Sequence, residues 1–157
     1  MRYFLDTEFI ENGKTIDLIS IGIVDEQGRE FYAIRSGFDG SKANQWVNEN
    51  VLAKLENDLP RYTSEQIVDR LFVFMAGDKE PEFWGYFADY DWVVFCQLFG
   101  TMMDLPKHFP MYCRDIKQLL DSCGKVDVPK QTDGEHNALA DAKWNKKTYD
   151  LLMSIRQ

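Results

Sequence analysis

The stretch RYFLDTEFIENGKTIDLISIGIVDEQGREFYAIR, residues 2–35, decides the fold. It contains three runs rich in aromatic and β-branched residues, separated by the turn sequences Asn12-Gly13 and 25–28. Runs of this composition with such separators are typical of strands joined by hairpins. We therefore predict an antiparallel meander of three strands, at residues 2–9, 15–25 and 30–35.

Helical and extended patterns alternate along the rest of the chain. Thr63 and Gln66 form a capping-box pattern ahead of an apolar run, and Gly124 follows a later helical pattern. A meander followed by such an alternation predicts an α/β fold with a mixed central sheet and flanking helices. The predicted helices are 41–55, 67–75, 88–99, 115–123 and 137–155, and the predicted short strands are 82–86 and 111–113.

Four acids and one histidine lie in three separate segments. Asp6 and Glu8 lie two residues apart on the first strand, so their side chains point to the same face of the sheet. Asp91 lies in the middle of the chain, and His136 and Asp141 lie near its end. Carboxylates brought to one point cannot all stay ionised unless cations neutralise them. Oxygen ligands suit hard ions such as Mg²⁺ or Mn²⁺, which act on phosphate esters while an imidazole accepts a proton from water. The set predicts metal-dependent cleavage of a phosphate ester.

These residues resemble the active-site signature of the DEDDh 3′-5′ exonucleases, which have a ribonuclease H-like fold. Asp6 and Glu8 match the first pair of acids, and His136 and Asp141 reproduce the histidine-x4-aspartate spacing. For the second acid we choose Asp91, because Tyr90 precedes it and an apolar run follows. Asp89 is the alternative.

Within that group, the chain resembles most closely, over nearly its whole length, the polyadenylate-specific 3′-exoribonucleases called ribonuclease AS. The similarity includes residues 2–11, 16–22, 45–55 and 96–100. It implies a 3′-5′ exoribonuclease that releases nucleoside 5′-monophosphates from single-stranded RNA, with a preference for adenosine-rich 3′ ends. It also implies a homodimer, two Mg²⁺ or Mn²⁺ ions held by the four acids, and His136 as the general base.

Composition limits the class of protein. A chain of 157 residues with 45% hydrophobic and 28% charged residues predicts one globular domain, residues 1–157. We expect no membrane segment, because no apolar run approaches the roughly 20 residues needed to span a bilayer. The three cysteines show no Cys-x-x-Cys spacing, so we predict reduced thiols and a cytoplasmic location.

The charge distribution is uneven for a protein that binds nucleic acid. The net charge is −8, with a balance of −9 over residues 1–100 and +1 over residues 101–157. Basic surface normally supplies affinity for phosphates. Bound divalent ions would cancel the charge of the four acids, and an enzyme that holds a few terminal nucleotides needs little basic surface.

Four further residues are predicted to contact the substrate: Thr7, Phe9, Trp46 and Asp115. Thr7 and Phe9 adjoin the acids of the first strand. Trp46 could stack on a base, although its spacing also fits packing in the core. Asp115 could accept a hydrogen bond from an adenine amino group, or it could cap a helix.

Two other functions remain open on the sequence. The same residues could act on single-stranded DNA or on very short oligoribonucleotides. The chain could also be a non-catalytic nucleic-acid-binding domain, but a degenerate domain would be expected to have lost an acid or the histidine.

Overall fold

The structure is a computed structural model that describes residues 1–131 and 134–156. The described chain contains six strands and five α-helices, joined in part by 3-10 turns. The strands are β1 (Arg2–Glu11), β2 (Ile16–Asp25), β3 (Glu30–Arg35), β4 (Arg61–Tyr62), β5 (Glu82–Gly85) and β6 (Arg114–Asp115). The helices are α1 (Gln45–Asn50), α2 (Ser64–Phe74), α3 (Asp89–Phe99), α4 (Ile116–Ser122) and α5 (Ala138–Ile155).

The strands form one mixed sheet in the order β4-β3-β2-β1-β5-β6. The pairs β1/β2 and β2/β3 are antiparallel, as the hairpin turns predict, whereas β1/β5, β3/β4 and β5/β6 are parallel. β1 therefore lies inside the sheet, with a partner on each side. The predicted α/β fold with a mixed sheet, an antiparallel meander and flanking helices is confirmed.

Helices cover both faces of the sheet. Tyr3 and Leu5 of β1 belong to the cluster that packs against α2 and α3, whereas Phe4 packs against Tyr149 and Leu152 of α5. This alternation follows from the two-residue period of a strand. Asp6 and Glu8 continue the series of Phe4 and therefore lie on the α5 face.

A β-bulge interrupts the pairing of β1 with β2. Glu8 pairs with Ser20 and Phe9 with Leu18, so Ile19 is an extra residue on β2. Ile19 packs with Ile10 and with Val47 of α1. The bulge lies next to the acids of β1, a common position for bulges near active sites.

Three sequence predictions for local structure need correction. The predicted helix 41–55 is broken into α1 between two 3-10 turns, Gly40–Lys42 and Leu52–Lys54. The side chains of Asn44, Asn48 and Asn50 bind nearby backbone groups and so compete with a continuous helix. The predicted strand 111–113 is wrong, because the neighbouring pair Arg114–Asp115 bonds to β5.

The third correction is β4, which the sequence prediction missed. It has only two residues, too few to show a period-2 pattern. The capping box at Thr63 and Gln66 is present at the start of α2. Within the described ranges, no helix is long and apolar enough to cross a membrane.

Candidate active site

β1 carries two of the acids to the end of the sheet where α5 begins. Asp6 pairs with Gly22 of β2, and the N-terminus of α5 lies against this glycine. A Cβ atom on Gly22 would overlap the carbonyl of Ala138 and the Cα of Leu139. The absence of a side chain therefore lets the first turn of α5 approach the strand beside Asp6.

Asp91 reaches the site from the other face of the sheet. It lies in the first turn of α3 and is buried, with 7% of its surface exposed. Its Oδ1 accepts hydrogen bonds from the backbone N of Thr7 (2.9 Å) and from the Thr7 hydroxyl. Asp89, the alternative second acid, is exposed. The geometry therefore favours Asp91 over Asp89.

Asp141 and His136 are joined at the start of α5. The backbone N of His136 donates to Asp141 Oδ2 (3.1 Å), and the Gln131 amide donates to Asp141 Oδ1. Potential ligand atoms of Glu8, His136 and Asp141 lie within 4.8 Å of one another. Residues from the two ends of the chain thus meet at one point.

The five residues line one cleft of about 350 Å³. Two aromatic residues form part of its wall. Trp46 is 52% exposed and meets the His136 ring edge-to-face at 4.7 Å between centroids. Phe9 meets Tyr90 edge-to-face at 5.9 Å. The described lining residues are Asp6, Thr7, Glu8, Phe9, Ile10, Glu11, Asn44, Trp46, Val47, Val51, Asp91, His136 and Asp141.

Burial and mutual repulsion disfavour the charged forms of these carboxyls. Burial raises the pKa of Asp6 well above its ordinary value, and the charges of Asp91, Asp141 and Glu8 raise it further. Burial, followed by the charges of Asp141 and Asp91, raises the pKa of Glu8 to about 8, while Lys54 opposes the shift. Burial raises the pKa of Asp91 to about 6 and also raises that of Asp141. Cations would relieve this repulsion.

The donor set fits a hard divalent cation. The carboxylates of Asp6, Glu8, Asp91 and Asp141 offer oxygen atoms, which Mg²⁺ and Mn²⁺ prefer. Their raised pKa values are the expected result of gathering acids in the absence of an ion. The site can therefore hold metal, and the identity of the metal is a separate question.

The predicted substrate residues fall into two groups. Thr7, Phe9 and Trp46 line the cleft. The exposure of Trp46 argues against the core position that its spacing also allowed. Asp115 is not among the described lining residues. Its Oδ1 caps α4, and its Oδ2 accepts from the backbone N of Ala88 (2.9 Å), so the structural role dominates.

Comparison with known proteins places the chain in a family. A family model described as the 3′-5′ exoribonuclease Rv2179c-like domain matches residues 1–153. The chain belongs to this family. Two Mycobacterium tuberculosis proteins, 3′-5′ exoribonuclease Rv2179c of strain ATCC 25618 / H37Rv and 3′-5′ exoribonuclease MT2234.1 of strain CDC 1551 / Oshkosh, are each 40% identical to it. Each alignment covers 98% of this chain and 94% of the relative.

Solved nuclease structures share the fold of this Rv2179c-like chain. Cell-death related nuclease 4 (CRN-4) superposes with a TM-score of 0.64, over 98% of this chain and 64% of that protein. A full-length 3′-exonuclease superposes with a TM-score of 0.60, over 98% and 81%. Both are 10% identical to this chain, so they support the fold alone. The predicted ribonuclease H-like fold is confirmed.

Sequence reasoning missed several residues that shape the site in this family member. Gln131 binds Asp141, Lys54 lies near Glu8, and Glu56 binds the residue after His136. None of them belongs to a motif with a fixed spacing. Only contacts between distant segments reveal them, so no local signal could have identified them.

Proposed function

We propose that this protein is a metal-dependent 3′-5′ exoribonuclease that releases nucleoside 5′-monophosphates from single-stranded RNA. The observation that carries this proposal is the meeting of Asp6, Glu8, Asp91, Asp141 and His136 in one cleft. Membership of a family described as 3′-5′ exoribonucleases supports the direction and the substrate.

The four carboxylates would hold two Mg²⁺ or Mn²⁺ ions. Bound divalent ions supply charge stabilisation for the attacking and leaving oxygens of a phosphodiester. Thr7 has a separate role, because its two hydrogen bonds fix the Asp91 carboxylate relative to β1. The two acids of β1 are fixed by the strand itself.

His136 would act as general base. Its ring faces the same cleft as the acids, and histidine is the side chain best suited to accept a proton from water at neutral pH. Trp46 contacts the ring on one side and limits its rotation. The proton would leave the attacking water as the oxygen approaches phosphorus, and the leaving group would be the ribose 3′ oxygen of the shortened RNA.

The shape of the site supports attack at a free single-stranded end. A cleft of about 350 Å³ is at the small end of the range for ligand sites, and Phe9 and Trp46 offer aromatic surface for one or two bases. The net charge of −8 opposes binding of a long duplex. A base-paired 3′ end would have to unstack before its phosphate reached the acids.

Finer parts of the proposal rest on the sequence resemblance. They are the DEDDh two-metal mechanism, closeness to ribonuclease AS, preference for adenosine at the 3′ end, a homodimer and action in the cytoplasm. Light scattering coupled to gel filtration would measure the oligomeric state directly.

The central experiment is a nuclease assay on 5′-labelled poly(A), mixed-sequence RNA and single-stranded DNA of equal length. We expect 3′ shortening with mononucleotide release, support by Mg²⁺ or Mn²⁺, and loss with EDTA. A preference for DNA or for very short RNA would change the proposed substrate but leave the proposed reaction in place. Rapid cleavage of circular RNA would contradict the exonuclease, and binding without cleavage would indicate the non-catalytic alternative.

A further inference from the structure

The backbone at His136 has a conformation that needs support. Its φ is +65°, in the left-handed region that non-glycine residues rarely adopt. Such a conformation is strained and persists only where its surroundings hold it. The contacts around it therefore determine where its ring points.

Asn137, the next residue, has both ends of its side-chain amide engaged. Its Oδ1 accepts from the backbone N of Ala140 (3.1 Å) and caps α5. Its Nδ2 donates to Glu56 Oε1 (3.2 Å). Its backbone N donates to Gly134 O (3.0 Å), which closes the turn around His136. Rotation of this turn would break several of these bonds together.

Glu56 connects this turn to the sheet. Its second carboxylate oxygen, Oε2, accepts from the hydroxyl of Tyr32 (3.1 Å), which lies on β3. Glu56 also follows closely after α1 and its 3-10 turn, the segment that carries Trp46. One carboxylate thus links the sheet, the wall of the cleft and the turn that bears His136.

We propose that Glu56 is a positioning residue that holds the His136 turn in its catalytic geometry through Asn137. Glu56 itself would touch neither substrate nor metal. The inference rests on the proposed function only for its effect on rate, because its effect on the turn is measurable without any substrate.

The main test is a set of substitutions assayed on poly(A) RNA. We expect Glu56→Ala to lower kcat about 10- to 100-fold with little change in KM, because a misplacement of about 1 Å can cost about 100-fold. Glu56→Gln keeps an oxygen that accepts from Asn137 and should restore kcat to within about threefold. Asn137→Ser keeps a good helix cap but loses the donor to Glu56, so it should resemble Glu56→Ala.

Two controls separate positioning from general damage. Glu49→Ala removes an exposed glutamate of α1 that binds only Gln45 among the described contacts, and it should leave kcat unchanged. In a His136→Ala background, Glu56→Ala should cause no further loss, because it would act through the missing ring. Equal additional losses in both backgrounds would overturn the proposal.

Side-chain NMR of the metal-free protein gives a readout that does not depend on activity. The chain has two histidines, so His108 serves as an internal reference. We expect Glu56→Ala and Asn137→Ser to shift or broaden the ring signals of His136 alone, and Glu56→Gln to preserve them. Unchanged His136 signals in Glu56→Ala would overturn the proposal, even if the wild type proved not to be a nuclease. A wild type without activity but with the expected shifts would remove only the proposed function.

Discussion

The acids of β1 and the His136 turn serve one cleft but are held in different ways. β1 pairs with β2 at both Asp6 and Glu8 and with β5 at residues 2–4, so the backbone ladder of the sheet holds the two acids. His136 has a left-handed backbone and depends on side-chain contacts from Glu56 through Asn137. Elements held by few contacts open more easily than central strands. The two proposed metal ligands of β1 are thus on the rigid part of the fold, and the proposed base is on its adjustable part.

The largest effect should come from the four proposed metal ligands. Asp6→Asn, Glu8→Gln, Asp91→Asn or Asp141→Asn should lower activity by about 10³-fold or more, because lost metal stabilisation is worth several kcal/mol. Metal-free thermal stability should stay level or rise, since each change removes a repelled carboxylate. Steady-state kinetics and thermal unfolding in EDTA measure the two quantities.

Asp89→Asn is the matched control for Asp91→Asn, because the two acids share one helical turn but differ in burial. It should retain near-normal turnover. If Asp89→Asn were inactive and Asp91→Asn active, the second-acid assignment would be reversed.

On the adjustable side, His136→Ala should lower kcat about 10²- to 10⁴-fold while leaving metal binding intact. Isothermal titration with Mn²⁺ and single-turnover kinetics would show both. His108→Ala provides the control at the other histidine. A His136→Ala protein with normal metal binding and full rate would remove the base from this mechanism.

The junction between the two regions can be disturbed at Gly22. Gly22→Ala places a methyl group against the backbone of Ala138 and Leu139, so α5 must move away from β1. We expect a loss of about 1–3 kcal/mol in the free energy of unfolding, and reduced activity because Asp141 moves with α5. Urea denaturation measures the first effect. Gly40→Ala meets only Leu52 Cδ1, at 3.6 Å, and Phe38, at 3.8 Å, and should be nearly neutral; equal losses in both variants would contradict the close-approach argument.

The most gradual effect is the change in stability with pH in the metal-free protein. The pKa of Glu8 is raised from 4.5 to about 8 on folding, so its stabilising contribution is complete below pH 4.5 and is lost as pH rises through 8. One such carboxyl changes stability by at most about 1.4 kcal/mol per pH unit. Unfolding in EDTA between pH 5 and 9 should show this decline, and Glu8→Gln should flatten it. An unchanged slope in Glu8→Gln would assign the decline to other groups.

Local patterns in the sequence were enough for most of the longer elements, but not for the shortest ones or for contacts between distant segments. The meander, the capping box of α2 and the start of α5 follow from turn residues, caps and periodicity that act over a few residues. The two-residue strands β4 and β6 carry too little pattern to detect. Gln131 and Glu56 act across 10 and 81 residues of chain, so their partners were invisible before folding.

The bulge at Ile19 has a consequence for redesign of this fold. It changes the parity of β2: Leu18, Ile21 and Ile23 all belong to one core cluster, although an unbroken strand would point an even-numbered side chain away from two odd-numbered ones. Deletion of one residue here would yield a more regular hairpin. It would leave Leu18 facing the same core, but it would remove the contact of Ile19 with Val47, which supports the segment carrying Trp46. The irregular ladder is therefore the feature that an idealised version of the sheet would have to retain.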